Sequence, residues 1–394
     1  MRRPPLEVAD LIRAAGEAFL ERNRHWLRWK HIKVLRAIAR CRTAALGGHL
    51  DECMRCGHRA PISYNSCRDR HCPKCQTAAR DRWIAARQRE LLPTRYLHVV
   101  FTLPHRLAPL VWQNKKVLYH LLFRTSAETL LEVAHDPRHL GADIGFFSVL
   151  HTWSQKLTAH PHVHCVVPAG GLSLDHTRWI RSRDNYFLPK EVLKKVFRGK
   201  FVDALEQAFQ NGQLHFHGDL KLLAQPKTFA AWLRPLYRQD WVVYLKRPFG
   251  GPEYVVHYLG RYTHRVAISN HRLVSFADGQ VTFRWRDSTH QQKLLTLSLD
   301  EFLRRFLLHI LPKGFVRIRH FGFLANRKRA SLLPLCFHLL DATPQIQAEP
   351  HTPGTQDSPP SRRCPKCGGP MRIIERFTAA ELQLRSPPTV AAAA

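Results

Sequence analysis

A strand with histidines on one side and apolar residues on the other can occupy few places in a fold. The segment His160-Pro161-His162-Val163-His164-Cys165-Val166-Val167 has that pattern. Successive side chains on a strand alternate faces, so His162 and His164 look one way while Val163 enters the opposite layer. The apolar run that follows makes this a central strand, with one face packed and the other holding two imidazoles, which is half a metal site. A third donor is available in His151, Gln155 or His160. His151 is preferred, because an imidazole binds more firmly than an amide and His160 lies too near the pair. A phosphate-polarising ion in such a shell is Mg²⁺ or Mn²⁺, and imidazole ligands favour Mn²⁺.

About ninety residues later Tyr254, Tyr258 and Tyr262 recur at intervals of four, which places them on one helical face. Gly250-Gly251-Pro252 opens that helix, with proline suited to its first turn. A buried aromatic stripe has the same spacing, but Arg261, His264 and Arg265 bring cations to the same helix. A phenol hydroxyl beside a divalent ion can attack a phosphate in line, giving a 5′-phosphotyrosine and a free 3′-hydroxyl. The bond energy is retained, so rejoining needs no ATP.

The charge balance names the partner. Sixty-one Lys and Arg against thirty Asp and Glu give +31, with 25 His besides. Such an excess repels itself in a compact fold and calls for a polyanion, DNA or RNA before an acidic membrane surface. No run of 18 apolar residues suggests a membrane span, and the N-terminus lacks the apolar stretch of a signal peptide. The expected location is the cytoplasm, at the nucleoid when active.

Six of the ten cysteines stand in Cys-x-x-Cys pairs, which inside a cell read as metal ligands. Cys53-x2-Cys56 and Cys72-x2-Cys75, fifteen residues apart, have the spacing of one four-cysteine structural Zn²⁺ site; Cys67, His71 and His58 are substitutes or a second layer. Arg55, Arg59, Arg68, Arg70, Lys74 and Arg80 around it form a surface for phosphates or a DNA hairpin. Cys364 and Cys367 make half a site that needs two more ligands, for which Cys336 with His338, or a second chain, are the options.

These readings give an α+β fold: a helical zinc-binding, DNA-recognition domain over residues 1–92, a catalytic domain over 93–342, a linker over 343–363 rich in Pro, Thr, Ser and Gln, and a tail over 364–394 with the half-knuckle. Strands are expected at Tyr96–Leu103, Phe146–Leu150, Val163–Pro168, Trp241–Leu245, Val266–Ser269, Leu273–Phe276 and Val281–Trp285, and a basic-faced helix at Ser298–Leu311. Phe315, Arg317, Arg319, His320, Phe321 and Phe323 alternate cations with aromatics, a mixture that stacks unpaired bases and holds their phosphates. Gly199-Lys200 lacks the rest of a phosphate-binding loop, so strand separation falls to a host helicase, replication machinery or supercoiling.

The segments Leu150-His151-Thr152-Trp153, His160 to His164, Tyr258-Leu259-Gly260-Arg261-Tyr262-Thr263-His264-Arg265, Asn65 to Cys75 and Leu311-Pro312-Lys313-Gly314-Phe315 resemble the insertion-sequence-91 family of rolling-circle transposases over about residues 10 to 340. The resemblance implies an N-terminal zinc-binding domain followed by a His-hydrophobic-His endonuclease with a central antiparallel sheet flanked by helices. It also implies that two tyrosines four residues apart act in turn. They map onto Tyr258 and Tyr262, leaving Tyr254 to packing. The partners implied are single-stranded DNA and the terminal hairpins of the element itself. A replication initiator or plasmid relaxase with the same chemistry, or a zinc-dependent DNA-binding protein without catalysis, are the alternatives.

Overall fold

The computed structural model describes residues 4–183, 186–249, 267–287, 289–342 and 363–385. The chain begins with helices α1 (Val8–Arg22) and α2 (Trp29–Ala39), then strands β1 (Gly48–Cys53) and β2 (Ser63–Tyr64), and α3 (Gln76–Gln88). Next come β3 (Tyr96–Thr102), α4 (Ala108–Gln113), α5 (Lys115–His135), β4 (Ala142–Asp143), β5 (Gly145–Trp153), β6 (Ala159–Pro168), β7 (Gly170–Ser173) and β8 (Trp179–Arg181). Helices α6 (Lys190–Gln210) and α7 (Pro226–Arg238) precede β9 (Val243–Phe249), β10 (Leu273–Ala277), β11 (Gln280–Arg286) and β12 (Gln292–Ser298). The chain closes with α8 (Leu299–Leu308), β13 (Ile318–Gly322), α9 (Asn326–His338), β14 (Met371–Phe377) and α10 (Ala379–Arg385). The result is a mixed α+β protein whose named strands all pair antiparallel.

The central layer is a five-stranded sheet in the order β13-β5-β6-β3-β9. Alternation gives it two unlike faces. On one, Leu97, Val99 and Phe101 of β3 and Val163, Cys165 and Val167 of β6 pack with Leu118 and Leu122 of α5 and Phe197 and Phe201 of α6. The other carries Val149 and Val166 near Tyr96 and Phe147, with Trp83 and Leu91 against them, and beyond these the histidines. The site therefore lies on the sheet face turned away from α5 and α6.

A second core cuts across the division expected at residue 92. Val8, Leu11 and Phe19 of α1 and Leu35 and Ile38 of α2 pack with Phe283 of β11 and Phe302 and Phe306 of α8. Polar contacts join the same elements. The Val8 amide donates to Asn270 Oδ1 at 3.1 Å, and Arg22 grips the Asp300 carboxylate with two nitrogens at 2.9 and 3.1 Å. Ser298 caps α8 by accepting from the Glu301 amide at 3.3 Å.

One strand expected from the sequence is absent. Residue 266 lies outside the described residues. After it, Ala267 adopts a left-handed φ of 57°, and the chain enters a 3₁₀ turn at Asn270–Arg272. Ala267 and Ile268 are buried in the second core as a docked loop, so their apolar character reports burial rather than a strand. Strand β12, which the sequence reading passed over, completes the β10-β11-β12 meander. Strands β1 and β14 were also unforeseen. The expected tyrosine helix falls outside the described residues. Among the described residues no helix is long and apolar enough to cross a membrane.

At the end of β13, Gly322 has a φ of 61°, and a Cβ there would run into the Ile144 carbonyl group. Gly322→Ala is expected to cost about 2–4 kcal/mol, read as a lower guanidinium midpoint; an unchanged midpoint would show that β13 is not held against β5 in this way.

Candidate active site and metal centres

The β5–β6 hairpin assembles the histidine site. In its register His151 stands directly opposite His162, and Val149 opposite His164, so three imidazoles share one face. Their ring centroids are 5.4 Å (His151–His162), 4.3 Å (His151–His164) and 4.8 Å (His162–His164) apart. One donor atom from each lies within 4.8 Å of the others, within reach of a shared ion. His151 and His164 are buried and His162 is half-buried. Of the three candidates for the third position, His151 is the one whose donor joins this group; Gln155 and His160 are exposed.

Hydrogen bonds orient two of the rings. His162 Nδ1 lies 2.5 Å from the His160 carbonyl oxygen. A carbonyl only accepts, so Nδ1 carries the proton and Nε2 keeps its lone pair. His164 Nδ1 lies 2.8 Å from His98 Nε2 of β3, with the rings nearly parallel at 5.0 Å. When His164 donates in this pair, its Nε2 is left as the ligand atom, the usual support for a metal-bound imidazole. His151 stacks on Trp153 at 4.6 Å. Burial pushes His162 down to about 3, and burial followed by the neighbouring imidazoles holds His164 well below the usual histidine range. Neutral imidazoles are the form a cation binds. The donor set thus fits a divalent ion. His98 had no signal in the sequence, where it is one histidine inside an apolar strand.

The other expected site residues fall out differently. Tyr254, Tyr258, Tyr262, Arg261 and Arg265 lie outside the described residues. Arg317, expected on DNA, is buried, and burial with Arg70 nearby holds its guanidinium below the ordinary arginine range; it does not face an open surface. Arg319 does: its guanidinium lies over the rings of Phe123 (4.4 Å) and Phe315 (5.3 Å), in an open cleft of about 400 Å³ that Lys116, His120 and Lys313 also line.

The single zinc site expected from Cys53, Cys56, Cys72 and Cys75 is not what the fold assembles. Cys72 and Cys75 gather with Cys41 and Cys67, while Cys53 and Cys56 gather with Cys364 and Cys367. The reason is β1: its pairing with β14 draws the Cys53 turn towards the C-terminal knuckle. In the first group Cys75 Sγ lies 3.4 Å from Cys41 Sγ and 3.5 Å from Cys67 Sγ. Four thiolates about 2.3 Å from one zinc ion stand about 3.8 Å apart, and a disulfide would bring sulfurs to about 2.05 Å, so the tetrad fits zinc. His71 is not a ligand: its Nδ1 faces Asp69 at 3.0 Å and its Nε2 accepts from the Leu311 amide at 3.2 Å. Cys336 is buried among Leu333 and Phe337. Part of the expected basic surface is committed internally. Lys74 binds Glu7 at 2.7 Å, Arg59 binds Glu52 at 2.8 Å, and Arg70 donates to the Phe315 carbonyl at 2.7 Å.

Comparison with known proteins matches two segments of the chain. Residues 145–331 match the family described as "Putative transposase", and residues 11–103 match the transposase zinc-binding domain. The "Putative transposase y4qJ" of Sinorhizobium fredii (strain NBRC 101917 / NGR234) is 51% identical over 387 residues, covering 96% of this chain and 97% of that protein. The transposase for insertion sequence element IS801 of Pseudomonas savastanoi pv. phaseolicola is 32% identical over 367 residues, covering 88% and 83%. No solved structure matches.

If His98 holds the ligand form of His164, His98→Leu should weaken Mn²⁺ binding about 10–100-fold in a titration followed by Mn²⁺ electron paramagnetic resonance. The double variant His162→Ala, His164→Ala should abolish it. Affinity unchanged in the double variant would remove the histidine face as the metal centre.

Proposed function

The chain belongs to the insertion-sequence-91 family of transposases, and from that premise we propose that it cuts and rejoins single-stranded DNA at the ends of its own element through a 5′-phosphotyrosine, driving rolling-circle transposition. The observation that carries this reading is the convergence of His151, His162 and His164 on one sheet face. These three side chains would hold one Mg²⁺ or Mn²⁺. That ion would withdraw charge from the non-bridging phosphate oxygens.

The remaining work belongs to the chain. The Tyr258 hydroxyl gives up its proton and its oxygen attacks the phosphorus; the Oη–P bond forms, the P–O3′ bond breaks, and the departing 3′ oxygen takes a proton in exchange for the one the phenol lost. Tyr262, four residues on in the sequence, performs the same exchange on the second strand end. Arg261 and Arg265 neutralise the flanking phosphates. The cleft around Arg319, with its aromatic floor and lysine walls, suits an unpaired strand, because rings stack bases while cations track the backbone. The net charge of +31 speeds the encounter with a polyanion. The substrates are single strands and terminal hairpins of the element, exposed by a host helicase or the replication machinery.

The test is a denaturing gel of labelled single-stranded oligonucleotides from the element's two ends, incubated with the protein and Mn²⁺ or Mg²⁺. A covalent protein–DNA band is expected. It should vanish with a chelator and fall at least about 10³-fold in the double variant Tyr258→Phe, Tyr262→Phe, with binding retained. A band of undiminished strength in that variant would remove the tyrosines from the reaction. Binding without any covalent band would leave a DNA-binding protein without this chemistry.

A further inference from the structure

We propose that Cys53, Cys56, Cys364 and Cys367 form a second, independent zinc site that fastens the C-terminal segment onto the N-terminal sheet. The four sulfurs lie within 4.8 Å of one another. Cys53 Sγ is 3.5 Å from Cys367 Sγ, and Cys56 Sγ is 3.7 Å from Cys364 Sγ. These separations match the edge of a zinc–thiolate tetrahedron, about 3.8 Å, and not the bond of a disulfide. Cys364 and Cys367 stand outside both family matches, which span residues 11–103 and 145–331.

The two halves of the site repeat one backbone turn. Both read Cys-x-x-Cys-Gly: Cys53-Met54-Arg55-Cys56-Gly57 and Cys364-Pro365-Lys366-Cys367-Gly368. In each, the amide two residues after the first cysteine donates to its sulfur, Arg55 to Cys53 and Lys366 to Cys364, both at 3.4 Å. In each, the glycine amide returns to the first cysteine's carbonyl, at 3.0 Å from Gly57 and 2.9 Å from Gly368. In each, that glycine sits in the left-handed region, with φ of 66° and 70°, which glycine adopts at little cost. Amide donors aimed at sulfur favour thiolate, the form that binds zinc. The turns also meet closely. A Cβ on Gly369 would come within 2.9 Å of Arg55 Cβ and 3.3 Å of Cys53 Sγ, so only glycine lets the second turn seat against the first.

The strand that follows explains why a metal is needed there. β14 pairs along the whole of β1, from Gly48 opposite Phe377 to Cys53 opposite Met371. Yet most of its side chains are exposed, and of the described residues from β14 onward only Phe377 and Leu382 are buried. Backbone pairing with two apolar anchors is a weak hold for a segment arriving from the far end of the chain. Four metal–sulfur bonds beside the pairing supply the missing fixity, since site formation and folding are one event in such turns.

The test counts metal in the full-length protein. Purified wild-type chain should contain two zinc ions by elemental mass spectrometry. Cys364→Ser/Cys367→Ser should contain one, as should Cys53→Ser/Cys56→Ser, because the Cys41, Cys67, Cys72 and Cys75 set keeps its own ion. Hydrogen exchange should then show β1 amides at residues 48–53 losing protection at least tenfold, with the β5–β6 amides unchanged. One ion in the wild type, or two in Cys364→Ser/Cys367→Ser, overturns the proposal. A single wild-type ion that is lost in Cys53→Ser/Cys56→Ser and kept in Cys364→Ser/Cys367→Ser would restore the contiguous assignment. Where the serine variants fail to fold, the single Cys367→His variant keeps four ligands. Loaded with Co²⁺, it should show a thiolate charge-transfer band weaker by one sulfur, and a spectrum identical to wild type would exclude Cys367 as a ligand.

Discussion

The pairing of β5 with β6 is the contact on which the site depends. A strand has a period of two, so a slip of one residue would send His162 and His164 into the layer under α5 and bring Val163 out. The register is therefore held from both sides. Val163 and Cys165 are fixed in the apolar core, with Cys165 Sγ 3.1 Å from Ser148 Oγ. At the connection, the Ser154 amide donates to the Thr158 carbonyl at 2.9 Å, and the two hydroxyls meet at 2.6 Å. Leu157 there takes a left-handed φ of 61°, a strain of about 1–2 kcal/mol for a residue with a Cβ, and its side chain is wholly buried in the second core. That burial, worth about 1.5–3 kcal/mol, offsets the strain. His309 adds a further pin, contacting Thr152 Oγ1 at 3.1 Å and donating to the Leu157 carbonyl at 3.0 Å. The loop between the histidine strands is thus bound to α8, and through α8 to the first two helices.

Within one sheet, the two faces have opposite electrostatic tasks. The helical side is apolar at its centre, and its one named cation, Arg319 at the β13 edge, lies over the rings of Phe123 and Phe315. The histidine side keeps its imidazoles neutral by burial inside a molecule that is otherwise strongly cationic. A neutral donor cluster in a positive field accepts a small cation most readily when a polyanion arrives to balance it. With the proposed ion and DNA both on this face, each would favour the other's binding.

The parts legible in the sequence were those written in short-range periodicity. The alternation at 162–164 located a central strand and the face its histidines share. The helix expected at Ser298–Leu311 begins one residue on, at Leu299, and ends three residues short, at Leu308. What escaped was set by contacts distant along the chain. His98 reaches His164 only because β3 lies beside β6. The cysteines were paired by proximity in sequence, whereas strand pairing between β1 and β14 sorts them otherwise. One local sign was present and unused: Cys56 and Cys367 are each followed by glycine, while Cys75 is followed by Gln76 and runs into α3. Arg317 alternates with aromatics as a base-stacking strand should, but alternation cannot tell which face is covered. The end of the tyrosine segment misled for a similar reason, since Ala267 and Ile268 are apolar because they dock.

The partnership of β1 with β14 also bears on how the protein is made. β1 (Gly48–Cys53) leaves the ribosome long before β14 (Met371–Phe377). Until β14 is made, β1 has among the described residues only the two-residue β2 beside it, so one edge of its backbone stays unpaired and open to other chains. Contacts between such distant segments also form slowly. Premature termination anywhere before residue 371 would leave that edge bare for good, a template for pairing with other chains.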